Sequence, residues 1–105
     1  MVMFGLGGIY VEVLKDVSFR IVPVSLSEAY DMIGEIRTVQ LLKGARGEKP
    51  ADIDAIAESI VRLSRLVTDF PLIQELDINP LVVYEKGAKA VDARILISKA
   101  GKGEF

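Results

Sequence analysis

A chain of 105 residues, half apolar and 27% charged, has the profile of one small globular domain able to bury a core. Thirteen basic residues against fifteen acidic ones leave a net charge of −2, and no massed positive charge selects nucleic acid or a membrane surface, so neither is an expected partner. Cys and His are both absent, which excludes disulfides, thiolate or imidazole metal ligands and any acid–base or nucleophilic chemistry on those groups. Apolar runs are too short to span a bilayer and Met1 to Tyr10 lacks the basic segment of a signal peptide, so the expected location is the cytoplasm.

In chain order, Met1 to Phe4 reads as a strand, and Gly5-Leu6-Gly7-Gly8 interrupts it. Ile9 to Leu14 and Val17 to Val24 read as two further strands separated by Lys15-Asp16, a short hairpin signal. Val17, Phe19 and Ile21 alternate with Ser18, Arg20 and Val22, as in a sheet with one face on a core. Pro23 ends the ladder because it has no N–H to donate. Ser25 and Glu28 have capping-box spacing, and Leu26, Ala29, Tyr30, Ile33 and Ile36 follow at helical intervals, predicting a helix from Leu26 to Arg37. Leu41 to Pro50, LLKGARGEKP, is a predicted loop. From Ile53 through Ile56, Ala57, Ile60, Leu63, Ser64, Val67 and Phe70 the period is 3.6, predicting a helix of about eighteen residues.

After Pro71 the period returns to two, with Leu76, Ile78, Val82 and Tyr84 on one face of a strand. Glu85-Lys86-Gly87-Ala88 turns the chain, and Ala90 to Ile97 comes back. Lys99 to Phe105 reads as a tail. The pattern is an α+β fold, a mainly antiparallel sheet with two helices packed on one side.

The segment ELDINPL, Glu75 to Leu81, places polar side chains on one face of an otherwise strand-like run. A turn centred on Lys86-Gly87 pairs Leu81 with Asp92 and Asn79 with Arg94, putting Asp77, Asn79, Asp92 and Arg94 on one face. Asn79 and Asp92 are then diagonal neighbours, close enough for two oxygen ligands to close on one hard cation. A solvated sheet face ending at Asn79-Pro80 accounts for the same residues, so spacing alone leaves both readings open. The glycine run fits a bulge or close backbone approach better than a phosphate nest, since no helix-opening GxGxxG or Walker pattern is present. Glu12, Asp16 and Arg20 flank the predicted first hairpin; Arg20 could clamp a phosphate or pair with a Glu. Lys43, Arg46 and Lys49 could touch a polyanion or simply solvate their loop.

Four ordered blocks, VMFGLGGIYVEVLKDVSFRIVPVS, LLKGARG, DFPLIQELDINPLVV and AVDARI, resemble the C-terminal lobe of the ATP-grasp domain in ADP-forming acyl-CoA synthetases, in particular the acetyl-CoA synthetase beta subunit. Succinyl-CoA synthetase beta subunits look similar around the DINPL segment. The resemblance covers Val2 to about Ile97 and implies a partial ATP-grasp domain over residues 1–98, with 99–105 a flexible tail. It implies a reversible relay in which acyl-CoA, ADP and phosphate become acid, ATP and CoA, the lobe helping phosphoryl pass between a phosphohistidine and ADP or ATP with Mg²⁺. By match, Asn79 and Asp92 would bind magnesium, Asp77 would assist directly or through water, and Glu12 and Arg20 would support or contact phosphate.

The resemblance also implies partners: an N-terminal ATP-grasp lobe and an alpha subunit carrying the catalytic His and the CoA site. Alone, the chain is expected to be inactive, with an exposed face that favours a homo- or hetero-oligomer. The rival expectations are a non-catalytic structural or assembly module of the same fold, and a lobe of another ATP-grasp ligase such as succinate–CoA ligase.

Overall fold

The structure, a computed structural model, describes residues 1–44 and 49–97. Arg46 and the predicted tail lie outside them. Ten elements follow in order: β1 (Val2–Gly5), α1 (Ile9–Glu12), β2 (Val17–Arg20), α2 (Leu26–Glu35), α3 (Val39–Leu42), α4 (Ile53–Asp69), β3 (Ile73–Ile78), β4 (Leu81–Val83), β5 (Ala88–Ala90) and β6 (Ala93–Ile97). The strands pair as β1–β2, β3–β6 and β4–β5, all antiparallel; α2 and α4 pack on each other, α2 also on β1 and β2, and α4 on β1 and β3. The α+β reading holds. Among the described residues no helix is long and apolar enough to cross a membrane.

Ile9 to Leu14 is not the strand predicted. β2 takes β1 as its partner, with Val2 opposite Arg20 and Gly5 opposite Val17, so the intervening chain must fold back within a short span. It does so as one helical turn whose Val11 and Glu12 N–H groups both donate to Gly8 O, at 3.1 and 2.9 Å. Gly8 has φ +68°, a conformation open to glycine. At Gly5 the chains are so close that an added Cβ would lie 2.9 Å from both Asp16 O and Val17 Cγ1. This is the close backbone approach that the glycine run suggests.

Nor does β2 bury its apolar face. Ser18 is buried, whereas Phe19 is half exposed beside its cross-strand neighbour Met3. The inward hydroxyl is accommodated because Ser18 Oγ donates to Met32 O at 2.8 Å. Arg20 forms its ion pair with Glu35 of α2, which raises the guanidinium pKa and lowers that of the Glu35 carboxyl.

Helix α2 begins with the predicted capping box: Ser25 Oγ accepts from Glu28 N–H, and Glu28 Oε1 accepts from Ser25 N–H. It stops two residues before Arg37, because Ile36 turns extended and the next two amides donate to Asp16 instead. The predicted loop begins later than Leu41, since Val39–Leu42 forms α3 and buries Leu42. Helix α4 matches its prediction closely, with 17 residues and Asp52 as N-cap, Oδ1 accepting from Ala55 N–H at 3.0 Å. Ala29, Met32, Ile33 and Ile36 of α2 and its C-cap meet Ile56, Ala57 and Ile60 of α4, with Val24 and Leu42 completing the core.

One polar contact inside that core carries a testable consequence. Ser64, 1% exposed, accepts a hydrogen bond from Val24 N–H at 2.6 Å, so α4 satisfies the loop leading into α2. Ser64→Ala would remove only the hydroxyl and orphan that amide, and the loss expected in urea unfolding is about 1–3 kcal/mol.

Candidate functional site

Each of the strands predicted around ELDINPL is broken in two. β3 pairs with β6 and β4 with β5, and Asn79-Pro80 and Val91-Asp92 form the junction between the ladders. The turn is one residue earlier than predicted. Tyr84 N–H donates to Gly87 O, closing a four-residue loop, and the register is displaced by two residues: Leu81 faces Ala90, Asp77 faces Arg94 and Ile78 faces Ala93. A shift of two leaves each side chain on its original face. It also changes the relation between Asn79 and Asp92 from diagonal to directly opposite, with Asn79 N–H donating to Asp92 O at 3.1 Å.

The cause lies far away in sequence. Asp52, at the start of α4, donates its N–H to Tyr84 O at 2.8 Å and accepts Gly87 N–H on Oδ2 at 2.6 Å. Gly87, at φ +85°, supplies the left-handed residue the turn needs. The Gly87 and Ala55 amides hold the Asp52 carboxyl below the usual carboxylate range.

Glu12, Glu75, Asp77 and Asn79 all line one cavity of about 760 Å³, together with Gly7 and Gly8. The glycine run lies against the site, an added Cβ at Gly7 standing 3.9 Å from Asn79 Oδ1. Asp77 Oδ2 lies 3.7 Å from Arg94 Nη2 across the β3–β6 ladder. Asp92 is not among the cavity's walls, but its Oδ1 accepts Ala93 N–H at 2.9 Å, which ties the carboxylate down by one oxygen. Arg20 is turned to α2 and Glu35 rather than to the cavity. Lys49, from the predicted basic loop, pairs with Glu85 at 3.2 Å.

Among the described residues no cluster of three or more Asp, Glu, His or Cys forms a self-sufficient metal cage. What the junction offers is a neutral amide oxygen and carboxylate oxygens, a donor set suited to a hard cation that brings further oxygens with it. Such a set fits magnesium carried on phosphate better than a cation held by protein alone.

A further acidic group escaped the sequence reading as anything but a hairpin flank. Asp16 is 5% exposed and its carboxylate accepts Arg37 N–H at 2.7 Å, Thr38 N–H at 2.9 Å and Thr38 Oγ1–H at 2.6 Å. The Thr38 hydroxyl, followed by the two amides, lowers its pKa against the opposing effect of burial. No local signal marks it, because its partners lie in another connection.

Residues 1–97 match a family described as the ATP-grasp domain. The chain is 52% identical over 99 residues to an ADP-forming acetate–CoA ligase I of Archaeoglobus fulgidus, covering 94% of this chain and 14% of the relative. It is 54% identical over 96 residues to the ADP-forming acetate–CoA ligase I beta subunit of Pyrococcus furiosus, covering 91% of this chain and 41% of that one. Among solved structures, the dinucleotide-forming acetyl-coenzyme A synthetase 1 of Ca. Korarchaeum cryptofilum, in complex with coenzyme A and Mg-AMPPCP, superposes with a TM-score of 0.87 at 47% identity, covering 90% of this chain and 45% of the other. The chain thus spans less than half the length of these relatives, and within that span sequence and fold agree: it belongs to the ATP-grasp domain family.

Proposed function

We propose that residues 1–98 form a magnesium–nucleotide-binding lobe of an ADP-forming acid–CoA ligase of the acetyl-CoA synthetase kind. The observation that carries this reading is the meeting of Asn79 with Asp92 on one rung, beside a cavity walled by Glu12 and Asp77. The similar Korarchaeum structure, whose description includes Mg-AMPPCP and a phosphohistidine segment pointing towards the nucleotide-binding site, supports the same assignment. Asn79 and Asp92 would hold Mg²⁺, with Asp77 next to them on β3. The metal supplies neutralisation of phosphate oxygens, which is the main demand of phosphoryl transfer.

Glu12 lines the same cavity and supports the phosphate-bearing end of what enters, and Arg20 contributes by holding β2 on α2 through Glu35. A phosphate contact from Arg20 would require exchange of that partner. The remaining parts of the reaction, a second nucleotide-clasping lobe and an alpha subunit with the phosphorylated His and the CoA site, lie outside these 105 residues, which contain no His. The cytoplasm is the compartment proposed.

Calorimetric titration of the chain with ADP tests the reading. Affinity is expected to be at least about tenfold greater with Mg²⁺ than in EDTA, and Asn79→Ala should remove most of that difference. ADP binding that is indifferent to magnesium in the wild-type chain would overturn the assignment.

A further inference from the structure

We infer that Asp16 is a positioning residue for the nucleotide site: it seats α1 on the α2–α3 connection and so holds Glu12 at the wall of the cavity that Asp77 and Asn79 also line. Only the last link of this inference rests on the nucleotide reading above.

Helix α1 is a single turn, and the Val11 and Glu12 amides both return to Gly8 O. One turn is far below the length at which a helix sustains itself in water, so the place of Glu12 depends on external anchors. Two are visible. On one side, Gly5 packs so tightly that an added Cβ would lie 3.0 Å from Val11 Cγ2 and 2.9 Å from Asp16 O. On the other, Asp16 N–H donates to Tyr10 O at 2.8 Å, two residues before Glu12. The Asp16 side chain then reaches away from α1, taking both the Arg37 and Thr38 amides and the Thr38 hydroxyl. Backbone and side chain of one residue therefore join α1 to a connection rigidly placed by the buried Ile36 and Leu42.

This arrangement does more than end a helix. Thr38 is the N-cap residue of α3, but its side chain makes no cap hydrogen bond there; its hydroxyl is committed to Asp16. Removing the hydroxyl thus weakens the Asp16 anchor without removing a helix cap, which makes Thr38→Val a milder probe than replacing the buried acid.

The experiment compares wild type, Thr38→Val, Thr38→Ser and Asp16→Asn by amide hydrogen exchange and by calorimetric titration with Mg-ADP. In Thr38→Val, exchange at the Val11, Glu12 and Asp16 amides should quicken by about fivefold or more while α2 and α4 keep their protection. Mg-ADP affinity should fall by about tenfold, and Thr38→Ser should restore both within about twofold. Asp16→Asn, which turns an amide N–H₂ toward donors, should show the larger loss if it folds. Unchanged exchange at α1 in Thr38→Val overturns the anchoring. Faster exchange with wild-type Mg-ADP affinity overturns the positioning role alone. A wild-type chain that does not bind Mg-ADP overturns the nucleotide reading and this role with it, leaving the anchoring to be judged by exchange.

Discussion

Asp92→Ala, placed in a reconstituted ligase containing this lobe, is expected to lower magnesium-dependent ATP formation by about two to three orders of magnitude. The expectation follows from the junction between the two ladders. Asp92 faces Asn79 across one rung and its carboxylate is tied to Ala93 N–H by one oxygen, so it is held in place before any cation arrives. Asn79→Ala should cause a loss of similar size, since an amide oxygen is the other half of the pair. Asp77→Ala should cost less, because that carboxylate already has Arg94 at 3.7 Å and its exposed position lets water take its place. The rate measured against magnesium concentration separates these outcomes: a ligand loss raises the magnesium requirement, whereas a folding defect scales the rate at all concentrations. Wild-type rate and magnesium dependence in both Asn79→Ala and Asp92→Ala would show that the pair is wrongly assigned.

Acid should strip away the contribution of Asp16, and replacing it should remove that response. With its pKa lowered in the folded chain, chiefly by the Thr38 hydroxyl and then by the Arg37 and Thr38 amides, the carboxylate stabilises the fold fully above the unfolded value of about 3.9. That stability is lost as pH falls through the lower folded value, because protonation then favours the unfolded chain. The groups facing it are those donors and the Arg37 guanidinium at 3.9 Å. Asp16→Asn should lower Tm by roughly 10 °C near neutrality and flatten the fall in Tm between about pH 5 and 2. Glu35 and Asp52, whose pKa values are also lowered, contribute with the same sign, so thermal scans of both proteins across that range isolate the Asp16 share by difference. Parallel curves would refute it.

What could be read from the sequence was what short-range physics determines. Ser25 and Glu28 announce α2 because the capping box is closed within four residues, and α4 declares itself through a long 3.6-residue period. The segment with Asn79 and the return with Asp92 were legible as partners because strand alternation survives a two-residue slip. The slip itself was not legible. Both turn placements suit Glu85 to Ala88, and the choice is made by Asp52, whose bonds to Tyr84 and Gly87 span more than thirty positions. Ile9 to Glu12 has the β-branched composition of a strand, yet a single turn is too short to show a period, and β1 had already claimed β2. Ser18 and Asp16 were unreadable as interior groups for the same reason: Met32 O, Arg37 and Thr38 make their burial tolerable. Arg20 was open between a phosphate and a Glu, and Glu35 sits on an element whose facing side no local pattern reveals.

The outward side of β2 and both sides of β6 extend this point to evolution. Phe19, Ile95, Leu96 and Ile97 are each half exposed or more, and β6 is exposed along its whole length, with apolar side chains on both of its faces. In a ligase several times longer than this lobe, such positions would behave in a mutational scan as interior ones: tolerant of a change in apolar shape, intolerant of charge. Ranking substitutions by exposure in the lobe alone would then misjudge them, and the size of that misjudgement, position by position, would trace the outline of whatever rests on the sheet.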